Sequence, residues 1–518
     1  MTMSFENENI KKKKPSEANG ETRTGIEIFK SVIDEKLYYR DENKRLVLIS
    51  TGETVSSFED LSDVPTYVGN ALKGLRINAT EDALETYVPT DLNTWSIPGV
   101  AFVSPSTGND FTAVVGDGEL PHRTLNAALA ASNNVLCLPG FYSGTHTIPA
   151  GTYAIHFMKG AIMQGNSRIT DGGNTINLTI TGELEFAAFS YGFLFTGNGS
   201  VMRANVLKFA PGCRSTCFID GSNCDVFIKA DTVESNGNNG GGMTILVRDN
   251  STVVLEANKI VFDYWMVNPR NLGASVIVRC PDITISAVGF AGGGFGKTLV
   301  RRQNGIGNNM NITFDFMGGK VTNLSPTITN TFGIVDSTLI TKLGAANGEV
   351  SIYTFKNGTV ESGVMDGYLS YYQVGGGTTF LDNLIIKSGR RALSVYMGVN
   401  TAGVETVNAD NCHFESAVES IGGNGKILNF RNCTFKTTDP SRNRVFGFSN
   451  SNAAIPPFIY FINCNFQLVG GGGSTFNGFN PAITLGCAGS YSSEVLGATA
   501  IDTWAGLTTI PTLEIINY

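Results

Sequence analysis

Apolar and polar residues alternate in short runs through most of the chain. Thr175-Ile-Asn-Leu-Thr-Ile-Thr181, Ser251-Thr-Val-Val-Leu-Glu256 and Asn311-Ile-Thr-Phe-Asp-Phe316 are examples. A period of two places the apolar side chains on one face of a half-buried strand. Gly and Asn clusters divide the runs. Helical spacing is scarce. Its main instance is Thr124-Leu-Asn-Ala-Ala-Leu-Ala-Ala-Ser132, where Leu125, Ala128 and Leu129 share one helical face.

Strands this short and numerous leave a sandwich, a barrel, a propeller or a β-helix, and an internal repeat decides among them. Five segments align on one Asn: Phe355-Lys-Asn357-Gly-Thr-Val360, Leu381-Asp-Asn383-Leu-Ile-Ile386, Ala409-Asp-Asn411-Cys-His-Phe414, Phe430-Arg-Asn432-Cys-Thr-Phe435 and Phe461-Ile-Asn463-Cys-Asn-Phe466. Phe316-Met-Gly318-Gly-Lys-Val321 reads as a weaker copy. The spacings of 26, 28, 21 and 31 residues are unequal around a constant core. This suits one solenoid coil per repeat with loops of differing length. Stacked coils lie about 4.8 Å apart. Cys412, Cys433 and Cys464 are then expected in an inward column, with Phe414, Phe435 and Phe466 in another. Asn411, Asn432 and Asn463 form a ladder at a turn, and Glu415 lies outside beside Lys436 and Gln467.

Composition separates the front of the chain from the rest. The first 96 residues hold 29 charged side chains and the remaining 422 hold 53, about 30% against about 13%. The step predicts a boundary near Trp95. Four units are expected: an N-terminal arm and hairpin over 1–50, a module or linker over 51–96, the β-helix over 97–490 and a terminal cap over 491–518. The hairpin is read from Lys36-Leu-Tyr-Tyr-Arg40 and Arg45-Leu-Val-Leu-Ile-Ser50, with Asp41-Glu-Asn-Lys44 between them. A net charge of -8 argues against nucleic acid as a partner. No apolar stretch is long enough to insert in a membrane. Nine Cys behind a front segment with no secretory pattern predict reduced thiols rather than a disulfide framework. Cys213, Cys217 and Cys224 have no nearby His, so no metal site is expected. No cofactor motif is found.

Two resemblances follow. Leu61-Ser-Asp-Val-Pro65, Gly69-Asn-Ala-Leu-Lys-Gly-Leu-Arg-Ile-Asn78 and Thr80-Glu-Asp-Ala-Leu-Glu85 resemble the short module that recurs in bacteriophage tail-fibre and baseplate proteins, with Ala83 where the family has Gly. Ala101-Phe-Val-Ser-Pro-Ser-Thr-Gly-Asn-Asp110, then Pro121-His-Arg-Thr-Leu-Asn-Ala-Ala-Leu-Ala130, then Val135-Leu-Cys-Leu-Pro-Gly-Phe-Tyr-Ser143, resemble the opening of pectate-lyase-like right-handed parallel β-helices. The helix near Thr124 would cap the open end of such a solenoid, where unpaired strand edges are otherwise exposed.

Together the resemblances imply a phage tail fibre or tailspike, assembled in the host cytoplasm into the virion. They imply a homotrimer, N-terminal docking to tail or baseplate proteins, and a host surface glycan as receptor. Phe186 to Phe195 is apolar enough to serve an interface or the core. The fold itself hosts enzymes and inert shafts alike. A structural, receptor-binding appendage is the first reading, and a polysaccharide depolymerase, hydrolase or lyase, is the alternative. Hydrolysis needs two carboxylates about 5 to 9 Å apart near a sugar groove. The candidates are Glu361, Asp366 and Asp263. Aromatic side chains for sugars to stack on are Tyr264, Trp265, Tyr368, Tyr371 and Tyr372. For each acid, a solvated loop carboxylate is the competing reading. His122 and His146, near the cap, read as structural.

Overall fold

The computed structural model describes the strands at 28–30, 37–40, 46–48, 74–77 and 84–87 and residues 96–490, outside 236–242, 270–272, 287–297, 303–308, 325–336, 343–350, 363–367, 373–376, 397–404, 422–425, 438–443, 450–457, 469–473, 478–481, 486–487 and the single positions 189, 214 and 264. The chain divides into two compact units, Met1–Trp95 and Ser96–Tyr518. In the first unit Ile28–Lys30, Leu37–Arg40 and Leu46–Leu48 form an antiparallel sheet. The expected hairpin is present, with Tyr39 opposite Val47. Gly74–Ile77 and Leu84–Tyr87 form a second antiparallel pair, within and just beyond the segment that resembles the fibre module.

The second unit is a parallel β-solenoid with three strand columns. The first face climbs from Val100–Val103 through Asn134–Cys137, Gly151–Phe157 and Ile176–Gly182 to Ala482–Leu485. The second starts at 140–143 and 161–164 and ends at Ala488–Ser490. The third starts at 145–147 and 168–170 and ends at Ser474–Asn477. Every described ladder pairing in this unit is parallel. Each coil therefore hydrogen-bonds the coils before and after it, and inward side chains stack on their own kind.

The expected helix forms over Leu125–Ala131 and buries Leu125, Ala128 and Leu129. Thr124 caps it: its hydroxyl accepts the Ala127 N–H at 3.2 Å. Asp110 accepts the N–H groups of Arg123 and Thr124 at 2.7 and 2.9 Å and the Thr124 hydroxyl at 2.9 Å. The helix packs on the first strands of the solenoid and covers their apolar ends.

The repeat stacks in the expected register. Ala409, Phe430 and Phe461 align, as do Phe414, Phe435 and Phe466 along the backbone. Phe414 and Phe435 stack at 5.0 Å, and Phe430 and Phe461 at 5.3 Å. Cys412, Cys433 and Cys464 are buried, and each thiol donates to backbone carbonyls. Asn357, Asn383, Asn411, Asn432 and Asn463 all turn the corner with φ between 53° and 59°. That left-handed conformation is one that Asn tolerates better than other side-chain-bearing residues. The ladder is mixed rather than purely Asn: Asn383 bonds Asn357 at 3.3 Å, but Asn357 bonds Asp315 and Asn432 bonds Asp410.

One sequence expectation needs correction, and one open alternative is decided. Phe314, not Phe316, faces Phe355, because four residues (316–319) turn the corner where two (357–358) suffice in the next coil. The apolar run from 186 to 195 is core, since Phe186, Phe193 and Phe195 are fully buried.

Candidate functional site

The outward positions form straight rows, because a parallel ladder brings the same position of each coil into line. Along the first face one row reads Lys229, Glu256, Arg279, Asp315, Lys356, Asp382, Asp410, Arg431. Charge alternates up to Lys356. Arg279 pairs with Glu256 at 2.5 Å and Lys356 with Asp315 at 3.5 Å. Burial of Asp315 opposes its ionisation, but the Met317 N–H, the Asn357 amide and Lys356 outweigh it and hold its carboxyl below the ordinary value. On the second face a further row reads Glu361, Lys387, Glu415, Lys436, ending at Gln467. Lys387 and Glu415 are 3.6 Å apart, and His413 reaches the same carboxylate at 3.2 Å.

These rows account for Glu361. It is half-buried and ion-paired with Lys320 from the preceding coil. Asp263 is 2% exposed and has an interaction partner. It lies at the corner between the second-face segment 259–262 and the third-face strand Trp265–Pro269. Val261 and Glu361 share a row three coils apart, so Asp263 and Glu361 are separated by about 14 Å along the axis. The two do not form a glycosidase pair. Asp366 and Tyr264 lie outside the described residues.

The remaining aromatic candidates gather on the third face by backbone register. Trp265 lies between Met243 and Thr298. Tyr368 faces Ser337, Tyr371 lies between Thr341 and Tyr396, and Tyr372 faces Lys342. This face differs from the other two. Thr244, Ile245, Leu246 and Val247 are all buried, as are Leu299, Val300 and Arg301, so the strands there are covered on both sides. Alternation is lost for the same reason that fully covered strands in other folds read as continuous apolar runs.

Two histidines lie at the base. His146 points inward, 6.5 Å from the Tyr142 ring, and burial pushes its pKa down to about 4. His122 is also buried, and burial lowers its pKa against the opposing pull of Asp110. The thiols are poor nucleophiles: burial pushes Cys213 up to about 11 and Cys280 up to about 12. Among the described residues no group of three His, Cys, Asp or Glu side chains is placed to hold a metal ion. No helix among them is long and apolar enough to cross a membrane.

The end of the second-face row, Glu415 beside Lys436 and Gln467, was read from the sequence, but the first-face row was missed, although a signal exists. The residue before each repeat Asn, and the residue four after it, are the row members. No family model, curated protein or solved structure matches the chain.

Proposed function

We propose that the chain is a virion appendage of the phage tail-fibre or tailspike kind, which binds a host surface glycan. The observation that carries this reading is a parallel solenoid preceded by a separate compact unit in whose sequence the fibre-module motif lies. Stacked coils with ion-paired outer rows make a regular scaffold that aligns outward side chains in long rows. In this reading residues 1–50 dock on tail or baseplate proteins, 51–96 link to the shaft, and three copies associate side by side.

The test has two parts. The full-length protein is offered to a panel of bacterial cells, and the surface polysaccharide of any strain it binds is sized before and after incubation. Binding with unchanged polysaccharide supports the receptor-binding reading. Shortened chains make the protein a depolymerase and direct mutation to Glu361, Asp366 and Asp263. Failure to adsorb to any strain refutes the reading.

A further inference from the structure

We infer that the first face carries a binding strip for a neutral oligosaccharide, formed by Phe380, Asn408, Asn429 and Tyr460. This rests on the glycan-receptor reading and gives it a location. The four residues belong to one outward row on consecutive coils: Phe380 faces Asn408, Asn408 faces Asn429 and Asn429 faces Tyr460. Their side chains point away from the core, since the alternating neighbours Val407, Ala409, Leu428 and Phe430 are buried. All four are partly exposed.

The chemistry fits one class of ligand. The C–H faces of a sugar ring pack on aromatic rings, and a carboxamide offers a donor and an acceptor to neighbouring hydroxyls. Here an aromatic residue stands at each end with two amides between. Three coil spacings put the ends about 14 Å apart, the reach of a short oligosaccharide. The amides are ordered, since the Asn429 Nδ2 donates to the Asn408 Oδ1 at 2.8 Å. That bond leaves the second Asn429 N–H and the Asn408 NH2 to donate, and the Asn429 carbonyl to accept.

Charge selects a neutral ligand. The adjacent row places Asp382 and Asp410 side by side between Lys356 and Arg431, so the local charge cancels. The two adjoining carboxylates would repel an anionic chain running along the strip. On the other side the row offers Thr378 and Thr406. Nearer the base the same row is Phe227, Val254, Ile277, Thr313 and Thr354, with no amide, so the combination is confined to the upper coils.

The full-length protein is tested on an array of neutral oligosaccharides, from trisaccharides to hexasaccharides, with sulfated and uronic-acid chains as the anionic set. At least one neutral glycan binds. Phe380→Ala and Tyr460→Ala each weaken it roughly tenfold, a usual loss for an aromatic anchor. Phe380→Tyr keeps the affinity, and Ile277→Ala, lower in the row, binds as the parent does. Unchanged thermal melting of each variant separates lost contact from lost fold. The inference is overturned if the alanine variants bind as the parent does, if no neutral glycan binds, or if only anionic glycans bind. In those cases continued adsorption of the parent to bacterial cells leaves the wider receptor reading standing, whereas no adsorption removes it too.

Discussion

Acid should loosen the base of the solenoid through His146. The imidazole is buried, its Nε2 has no hydrogen-bond partner among the described residues, and burial lowers its pKa to about 4 from the 6.5 of an unperturbed histidine. Above pH 6.5 the ring is neutral whether the chain is folded or not, and it contributes no pH dependence. As pH falls below 6.5 the unfolded chain takes up a proton that the folded chain does not, so stability is lost. The loss is complete below about pH 4, where the lowered pKa corresponds to about 3 kcal/mol. At pH 5 the same pKa values give a loss of about 2 kcal/mol, while carboxylates held below their ordinary value are still ionised.

The substitution His146→Leu removes the titrating group and keeps an apolar side chain of similar size. Urea unfolding followed by circular dichroism at pH 7.5 and pH 5 measures the loss for each protein. The parent should lose about 2 kcal/mol more between the two than the variant. His122, whose pKa is also lowered, titrates in both proteins and drops out of the difference. Equal losses in parent and variant would refute the argument and mean that water or a rearranged neighbour solvates the imidazolium.

Other perturbations probe the stacking. Phe435→Ala removes a fully buried ring in contact with Phe414, Phe430 and Phe461, and thermal or urea unfolding should show a cost of about 3 to 5 kcal/mol. Asn432→Ala and Asn432→Gly both lose the amide bond to Asp410, but only Ala sets a Cβ without a locally bonding side chain at φ 54°, so Asn432→Ala should destabilise by roughly 1 to 2 kcal/mol more than Asn432→Gly. In the first-face row, Lys356→Ala should cost about 1 kcal/mol, the upper end for surface ion pairs, because its partner Asp315 is half-buried. Lys356→Glu should cost more, because it sets a third carboxylate between Asp315 and Asp382, and the added change Asp315→Lys should recover part of the loss in melting temperature.

Much of the architecture was legible in the sequence because the solenoid is built from local rules. A period of two makes the strands of the first two faces, the left-handed tolerance of Asn marks the corner between those faces in the upper coils, and Thr124 with Leu125, Ala128 and Leu129 marks the capping helix. The repeat Asn also carried the inter-coil register, since residues at a fixed offset from it fall in one row. Glu415 beside Lys436 followed directly. Where the corner length changes, the rule fails. The two extra residues in 316–319 shift the count, and Phe314 takes the place that the sequence assigns to Phe316.

The sequence by itself therefore determined the alternating strands, the repeat-Asn corner, the capping helix and the stacking of Asn-Cys-x-Phe. Each of these follows from backbone preference or from burying a side chain against an identical neighbour. Only the tertiary structure decided what an exposed residue does, because that depends on which residue of the next coil lies across from it. Glu361 and Asp263 look alike in sequence, each an acid near aromatic residues. Stacking pairs one with Lys320 on the second face and buries the other at a corner three coils away. Phe380 and Tyr460 are 80 residues apart in the chain, and the coils bring them to the two ends of one row. That row is carried by the repeat, since Phe380, Asn408, Asn429 and Tyr460 each stand three residues before a repeat Asn, whereas the meeting of Glu361 with Lys320 and the burial of Asp263 depend on corner and loop lengths outside the repeat, which no local pattern encodes.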